Sequence, residues 1–287
     1  MSIWKKILNK STTALFFLSA AFSVLSLIVI GLYIFYAGFP ALREVGLFQF
    51  LFGVEWQPRA DVYGIGPMIL ASIYATLGAI VIGVPIGILT AVFLAEVAPP
   101  WLCKIVRPGI ELLAGIPSVV YGFFGLVVIV PLIDKFFGGG GNSLLAAIII
   151  LGIMILPTIV NISETAIRAV PISYKEGSYA LGTSHISTIF RVILPAAKSG
   201  VFTSIVLGIG RAIGETMAVI LVAGNSPLIP GSLLSRVRTM TANIALEMGY
   251  ASGLHQNALF ATGIILFVFI MLLNVVMTLI NSRVEQE

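Results

Sequence analysis

Arg211 and Glu215 are the two ionisable residues that stand deep inside one of the chain's apolar runs, 199–224. A lone charge at the centre of a bilayer costs at least ~2.5 kcal/mol even on the gentlest scale, so both need a reason to be there. At a spacing of i, i+4 a continuous helix places them on one face. That face admits two readings. Either the charges neutralise each other, or the face lines a polar pathway in which a guanidinium grips an oxyanion through two parallel hydrogen bonds. In the second reading Glu215 is the counter-ion of Arg211 when no anion is present.

The remaining reactive residue types mostly exclude functions. His185 and His255 fall on opposite sides of the membrane in the topology below, and each is read as a solvated or capping histidine. The single cysteine, Cys103, allows neither an intrachain disulfide nor a cysteine metal cluster and is read as a small apolar filler. Gly208, Gly210 and Gly214 have one residue too many for a dinucleotide-binding glycine pattern and follow no strand, whereas Gly210 and Gly214 suit close helix contact. Gly138 to Gly141 lack the Lys-Ser/Thr of a nucleotide phosphate loop. No catalytic residue, metal ligand, cofactor, nucleotide or nucleic-acid site is assigned. An intramembrane hydrolase has no reactive constellation here, and an ion-coupled secondary transporter would have only Glu215 to carry its ion.

The elements that must position Arg211 and Glu215 are set by hydrophobicity. The 287 residues are 59% hydrophobic and 10% charged, against roughly 25% charged in soluble domains. Uncharged stretches run over 13–37, 67–95, 112–133, 143–163 and 257–282, with 199–224 as the sixth run. Each reaches the ~20 residues that a bilayer-spanning helix needs. None alternates with period two, which excludes a barrel and predicts an all-α integral membrane protein of six transmembrane helices in one domain, 1–287. The first run follows Lys5, Lys6 and Lys10 and exceeds a cleaved signal core, so it is expected to stay as a helix. With the N-terminus inside, Lys104, Arg107, Arg168, Lys175, Arg191, Lys198 and Arg283 join those three lysines in inner segments. The outer segments hold Arg43, Arg59, Lys135, Arg236 and Arg238, and this excess of inner basic residues places both termini in the cytoplasm.

Three loops are long enough to act: 38–66 and 225–256 outside, and 164–198 inside. The first suits a folded interfacial cap, and 241–248 in the second predicts a short helix. In the cytoplasmic loop Ser173 and Glu176 have capping-box spacing, which predicts a helix start. Gly182 suits a left-handed helix end, and Thr183 or Ser184 suits the cap of a second helix ending near Pro195. Physics alone is equally content with an amphipathic connector on the membrane surface.

Glu176, Gly177, Ser178, Gly182, Leu194 and Pro195 resemble the EAA loop of bacterial ABC importer permeases, with Val192 where isoleucine is usual. The resemblance implies a type I ABC importer permease fold. It also implies a coupling helix that docks into a groove on a cytoplasmic ATPase subunit.

More widely, Trp56 to Pro67 (WQPRADVYGIGP), Ala114 to Gly125 (AGIPSVVYGFFG), Gly210 to Val219 (GRAIGETMAV) and Thr241 to Gly249 (TANIALEMG) resemble PstC-type permeases of phosphate-specific ABC transporters, to which the PstA type is similar. This implies import of inorganic phosphate by alternating access, in the inner membrane. The implied partners are a PstB-like ATPase dimer, a PstA-like second permease and an external PstS-like phosphate-binding protein. An arginine does not name its anion, so on the residues themselves sulfate and molybdate stay open.

Overall fold

A computed structural model describes residues 3–286, with side chains over 11–279. Among the described residues five helices are long and apolar enough to cross a membrane. They are α1 (Ile3–Val45), α2 (Gly66–Val97), α4 (Ser118–Phe137), α5 (Leu144–Arg168) and α11 (Leu254–Gln286). Between α2 and α4 lies α3 (Pro100–Gly115). The cytoplasmic loop forms α6 (Ile172–Ala180) and α7 (His185–Ala196). The chain then bends by 71° into α8 (Lys198–Gly214), followed by α9 (Met217–Val222) and an outer helix α10 (Met240–Glu247).

Lipid tails are as apolar as leucine, so these helices associate through close packing rather than through a hydrophobic driving force. The α2–α5 seam shows how. Gly78, Gly83 and Gly87 of α2 face Ile148, Ile155 and Ile159 of α5, and a Cβ on Gly83 would lie 2.7 Å from Ile155. Both helices therefore approach at a distance that only glycine permits. Helix α1 lies along α11, with Tyr33 edge-on to Phe260 and Phe35 edge-on to Phe267.

The outer cap is more structured than an interfacial loop. Helix α1 runs past position 37 to Val45, a short helix (Leu47–Phe52) follows, and strands β1 (Trp56–Gln57) and β2 (Val62–Tyr63) pair antiparallel with Trp56 opposite Tyr63. Phe50, Trp56, Tyr63, Ile65 and Met68 bury together with Met240 of α10 and Leu259 of α11.

Two of the expected crossings are interrupted. The run 112–133 is cut where α3 stops at Gly115. Ile116 is extended (φ −69°, ψ 128°) because the ring of Pro117 disfavours a helical residue before it. The run 199–224 is cut where α8 stops at Gly214, with Glu215 extended (φ −69°, ψ 131°). The expectation of Arg211 and Glu215 on one continuous helical face is therefore corrected.

Candidate functional site

The two interruptions lie beside each other in the bundle. Gly122 of α4 sits against Ala218 of α9, where an added Cβ would come within 2.8 Å of the Ala218 Cα, and Gly125 sits against Val222. Tyr121 spans its own break by donating its hydroxyl at 2.7 Å to the carbonyl oxygen of Leu113, which also accepts the amide of Ile116 at the end of α3. Arg211 stands in the last turn of α8, just before the second break.

The pairing expected between Arg211 and Glu215 is absent. Glu215 Oε1 instead accepts the amide of Ala218 at 3.1 Å. A carboxylate there satisfies a free N–H and meets the positive end of the helix, which explains why the chain breaks in favour of a new start at α9. Arg211 is half-buried and makes no hydrogen bond or ion pair among the described residues.

The break is also tied to the outer surface. Thr241 Oγ1 donates to the Glu215 carbonyl at 2.9 Å, and the amide of Met240 donates to Ser72 Oγ of α2 at 3.0 Å. Helix α10 is anchored at its other end through Glu247, whose carboxylate is buried. Arg238 Nη1 donates to its Oε1 at 2.6 Å, while Trp56 Nε1 (2.9 Å) and His255 Nε2 (2.8 Å) reach Oε2. The Arg238 guanidinium also donates to the Asn225 carbonyl and to Asn243 Oδ1. His255 is not a solvated residue: its ring stacks on Tyr63 within this cluster. Burial, with an added contribution from the hydrogen bond to Asp61, pushes the Tyr63 phenol up to about 12.

Sequence reasoning missed Tyr121, Ser72 and the cluster around Glu247. The usable signal was weak but present: Glu247 is the one acidic residue between 225 and 256. The four segments that carried the wider resemblance now prove contiguous. Trp56 meets Glu247, Thr241 meets Glu215, and Gly122 meets Ala218.

At the cytoplasmic end the loop folds as two short helices, with one correction. Pro171, not Ser173, is the N-cap of α6, and no side-chain cap bond forms there. Glu176 therefore has no partner in Ser173 and lies exposed beside the exposed Gly177. Gly182 has φ +78° at the turn, the conformation expected of it. Ser184 caps α7 by accepting the amide of Ser187 at 3.4 Å. Ser178 faces inward, where its hydroxyl meets Thr183 Oγ1 at 2.5 Å and Thr188 Oγ1 at 2.8 Å. This hydroxyl cluster pins α6 to α7 and leaves Ile172, Tyr174, Leu181 and Ile186 exposed on the far side.

Comparison with known proteins settles the family. The family described as binding-protein-dependent transport system inner membrane component matches residues 83–286, which include both helix breaks and the whole cytoplasmic loop. The chain belongs to that family. This permease is 41% identical over 247 residues to the "Probable ABC transporter permease protein YqgH" of Bacillus subtilis (strain 168), covering 84% of this chain and 80% of that one. It is 36% identical over 303 residues to the "Phosphate transport system permease protein PstC" of Haemophilus influenzae, covering 99% and 95%. In fold the permease is similar to a chain of the bacterial alginate ABC transporter crystallised with an alginate pentasaccharide-bound periplasmic protein. There the TM-score is 0.66 at 18% identity, over 98% of both chains. It is also similar to a chain of the inward-facing MetNI methionine ABC transporter, with a TM-score of 0.63 at 19% identity over 80% of this chain and 99% of that one. The importer permease fold expected from the cytoplasmic motif is thereby borne out.

Proposed function

We propose that this chain is the permease subunit through which an ATP-driven importer moves inorganic phosphate inward across the inner membrane, working as a single transmembrane domain over 1–287. The observation that carries the reading is Arg211, half-buried where two interrupted helices meet and without a counter-ion among the described residues. A guanidinium in that position offers an oxyanion two parallel hydrogen bonds and a full charge. The first turn of α4, which has no side-chain cap, starts at the neighbouring break and adds positive partial charge, as discontinuous helices in transporters do. Similarity to proteins named phosphate transport system permease selects phosphate from among the oxyanions.

In this function Glu215 belongs to the pathway as the cap that holds the break open, not as a ligand of the anion. Glu176 and Gly177 are the exposed face offered to a PstB-like ATPase dimer. Ser178 and Gly182 fix the shape of that face from within. A PstA-like second permease completes the pore, and a PstS-like binding protein delivers phosphate from outside. ATP is hydrolysed by the partner subunits, so this chain carries no catalytic residue of its own.

The test is uptake by the reconstituted complex in vesicles, supplied in turn with labelled phosphate, sulfate and molybdate. Phosphate alone should accumulate, and only with ATP inside the ATPase compartment. Accumulation of sulfate or molybdate in its place would assign the pathway to another oxyanion.

A further inference from the structure

The cytoplasmic coupling helix and the outer helix α10 are far apart, yet both are bonded to the same helix, α2. At the inner end Lys175 of α6 donates to Glu96 Oε1 at 2.7 Å. The Glu96 side chain is 4% exposed and that of Lys175 26%, so this is no solvated surface pair. Glu96 belongs to the π-helical turn Phe93–Val97 that closes α2. One residue pair away, Arg168 Nη2 donates to the Leu94 carbonyl at 2.6 Å. Arg168 in turn shares Glu164 with Arg107, so the inner ends of α2, α3 and α5 are bound into one charged knot beside α6. At the outer end Ser72 of α2 accepts the amide of Met240, and the next residue, Thr241, bonds the carbonyl of Glu215 at the break beside Arg211.

We infer that α2 is the transmission rod of transport coupling, with Glu96 and Lys175 as the positioning residues at its driven end and Ser72 at its delivering end. The rod runs about 35 Å between those two attachments, at ~1.5 Å per residue. Pro85 interrupts the hydrogen-bond ladder of α2 near its middle, and the glycine seam holds the helix together across that point, because Ile148, Ile155 and Ile159 of α5 fill the space left by Gly78, Gly83 and Gly87. A displacement of α6 by the ATPases is therefore carried to α2 by an ion pair whose carboxylate is buried. From there one hydrogen bond, from the Met240 amide to the Ser72 hydroxyl, carries it to α10 and so to the helix break.

A buried ion pair suits the inner joint better than an apolar contact. Separation would leave the Glu96 carboxylate buried without its partner, so the two helices move together or not at all. An apolar contact would slide.

This inference rests on the reading of Ile172–Ala180 as the ATPase-facing helix, and the experiment separates the two. The whole complex is reconstituted in vesicles, and phosphate uptake per ATP hydrolysed is measured beside the amount of ATPase bound. Lys175→Glu and Glu96→Lys should each lower the uptake ratio by about tenfold, the scale on which residues along a coupling route act. The exchanged pair, Lys175→Glu with Glu96→Lys, should recover most of it. The neutral pair, Lys175→Met with Glu96→Gln, leaves no buried charge alone and should assemble normally, yet stay uncoupled. Ser72→Ala should reproduce the defect from the other end.

A wild-type ratio in the neutral pair or in Ser72→Ala overturns the rod, as does a failure of the exchanged pair to recover. Gly182→Val is the control on the underlying reading. If it uncouples while the neutral pair does not, the coupling loop stands and only the rod falls. If Gly182→Val leaves both ratio and ATPase binding unchanged, the loop is not the coupling element and the rod falls with it.

Discussion

Thr241 donates its hydroxyl to the backbone carbonyl of Glu215 at 2.9 Å, so the outer helix α10 is bonded directly to the interruption between α8 and α9. The Glu215 carboxylate, one residue before the N-cap Thr216, meanwhile accepts the amide of Ala218 in the first turn of α9. Glu215 is therefore engaged at both its carbonyl and its side chain, and Arg211 has no counter-ion among the described residues.

Loss of Arg211 and loss of Glu215 should consequently give different defects. Arg211→Gln is expected to abolish phosphate uptake in a fully assembled complex, and Arg211→Lys to be impaired because an ammonium lacks the planar fork. Glu215→Ala should destabilise the break by about 0.5 to 2 kcal/mol, the usual cost of a lost cap. Glu215→Gln, which keeps an acceptor oxygen, should cost less. Uptake and assembled complex are measured for each, together with the double Arg211→Gln, Glu215→Gln variant. Normal transport by that double variant would remove Arg211 from the pathway.

The Glu247 cluster predicts an asymmetric result. Arg238→Met leaves a buried carboxylate with only Trp56 and His255, and breaking such a pair typically costs about 3 to 5 kcal/mol. Arg238→Met combined with Glu247→Gln should recover much of that loss. The measurement is protease susceptibility of the 225–253 segment in intact vesicles; equal protection of both variants and the wild type would mean that the cluster does not anchor α10.

Tyr63 supplies a pH prediction. Its phenol is held neutral in the folded cap, with the pKa raised from 10.0 to about 12. A raised pKa means that this stabilisation is fully present below about pH 10 and is lost as pH rises through about 12. The difference in phenolate absorbance between wild type and Tyr63→Phe isolates this group. A transition centred at the ordinary tyrosine value would contradict the burial of Tyr63 in the cap.

In the cytoplasmic loop, Gly182→Val should uncouple hydrolysis from uptake because a β-branched residue resists φ +78°. Thr188→Val should act in the same direction by removing a buried hydroxyl from the Ser178 cluster. Glu176→Ala differs from both. Its side chain makes no cap in α6, so helix content should not change, and any loss should appear as weaker ATPase binding in a pull-down of the complex. Normal binding with normal coupling would take Glu176 out of the interface.

Orientation can be checked in a Cys103→Ala background. Single cysteines at Ser232 and at the exposed Tyr250 should react with an impermeant thiol reagent from outside, whereas one at the exposed Leu181 should not. Labelling of position 181 in intact cells would invert the loop assignments.

Much of this architecture was legible before any coordinates, for a physical reason. A bilayer demands about twenty apolar residues per crossing wherever they occur, so the runs at 67–95 and 143–163 announce α2 and α5 from local sequence alone. Gly182 is similar: the residue that can adopt positive φ also marks the turn that requires it. The importer loop was legible as a family resemblance carried by residues of one short segment, Glu176 to Pro195.

The two breaks were not legible in the same way. Pro117 is a local signal for the first, but it sits within an apolar run whose hydropathy is indifferent to a single extended residue. At the second, Arg211 and Glu215 satisfy the i, i+4 rule only if the helix continues past Gly214. Whether it does is a contest between one more helical turn and the bonds that reward stopping. Those bonds come from Ala218 and from Thr241, which lies 26 residues away. Greater separations hide Lys175 from Glu96 and Trp56 from Glu247, 79 and 191 residues apart. Hydrophobic length and turn chemistry are properties of a segment and can be read along the chain. The partners of a buried charge are properties of the packed bundle, because desolvation makes each such group seek whichever opposite charge or donor the fold brings nearest.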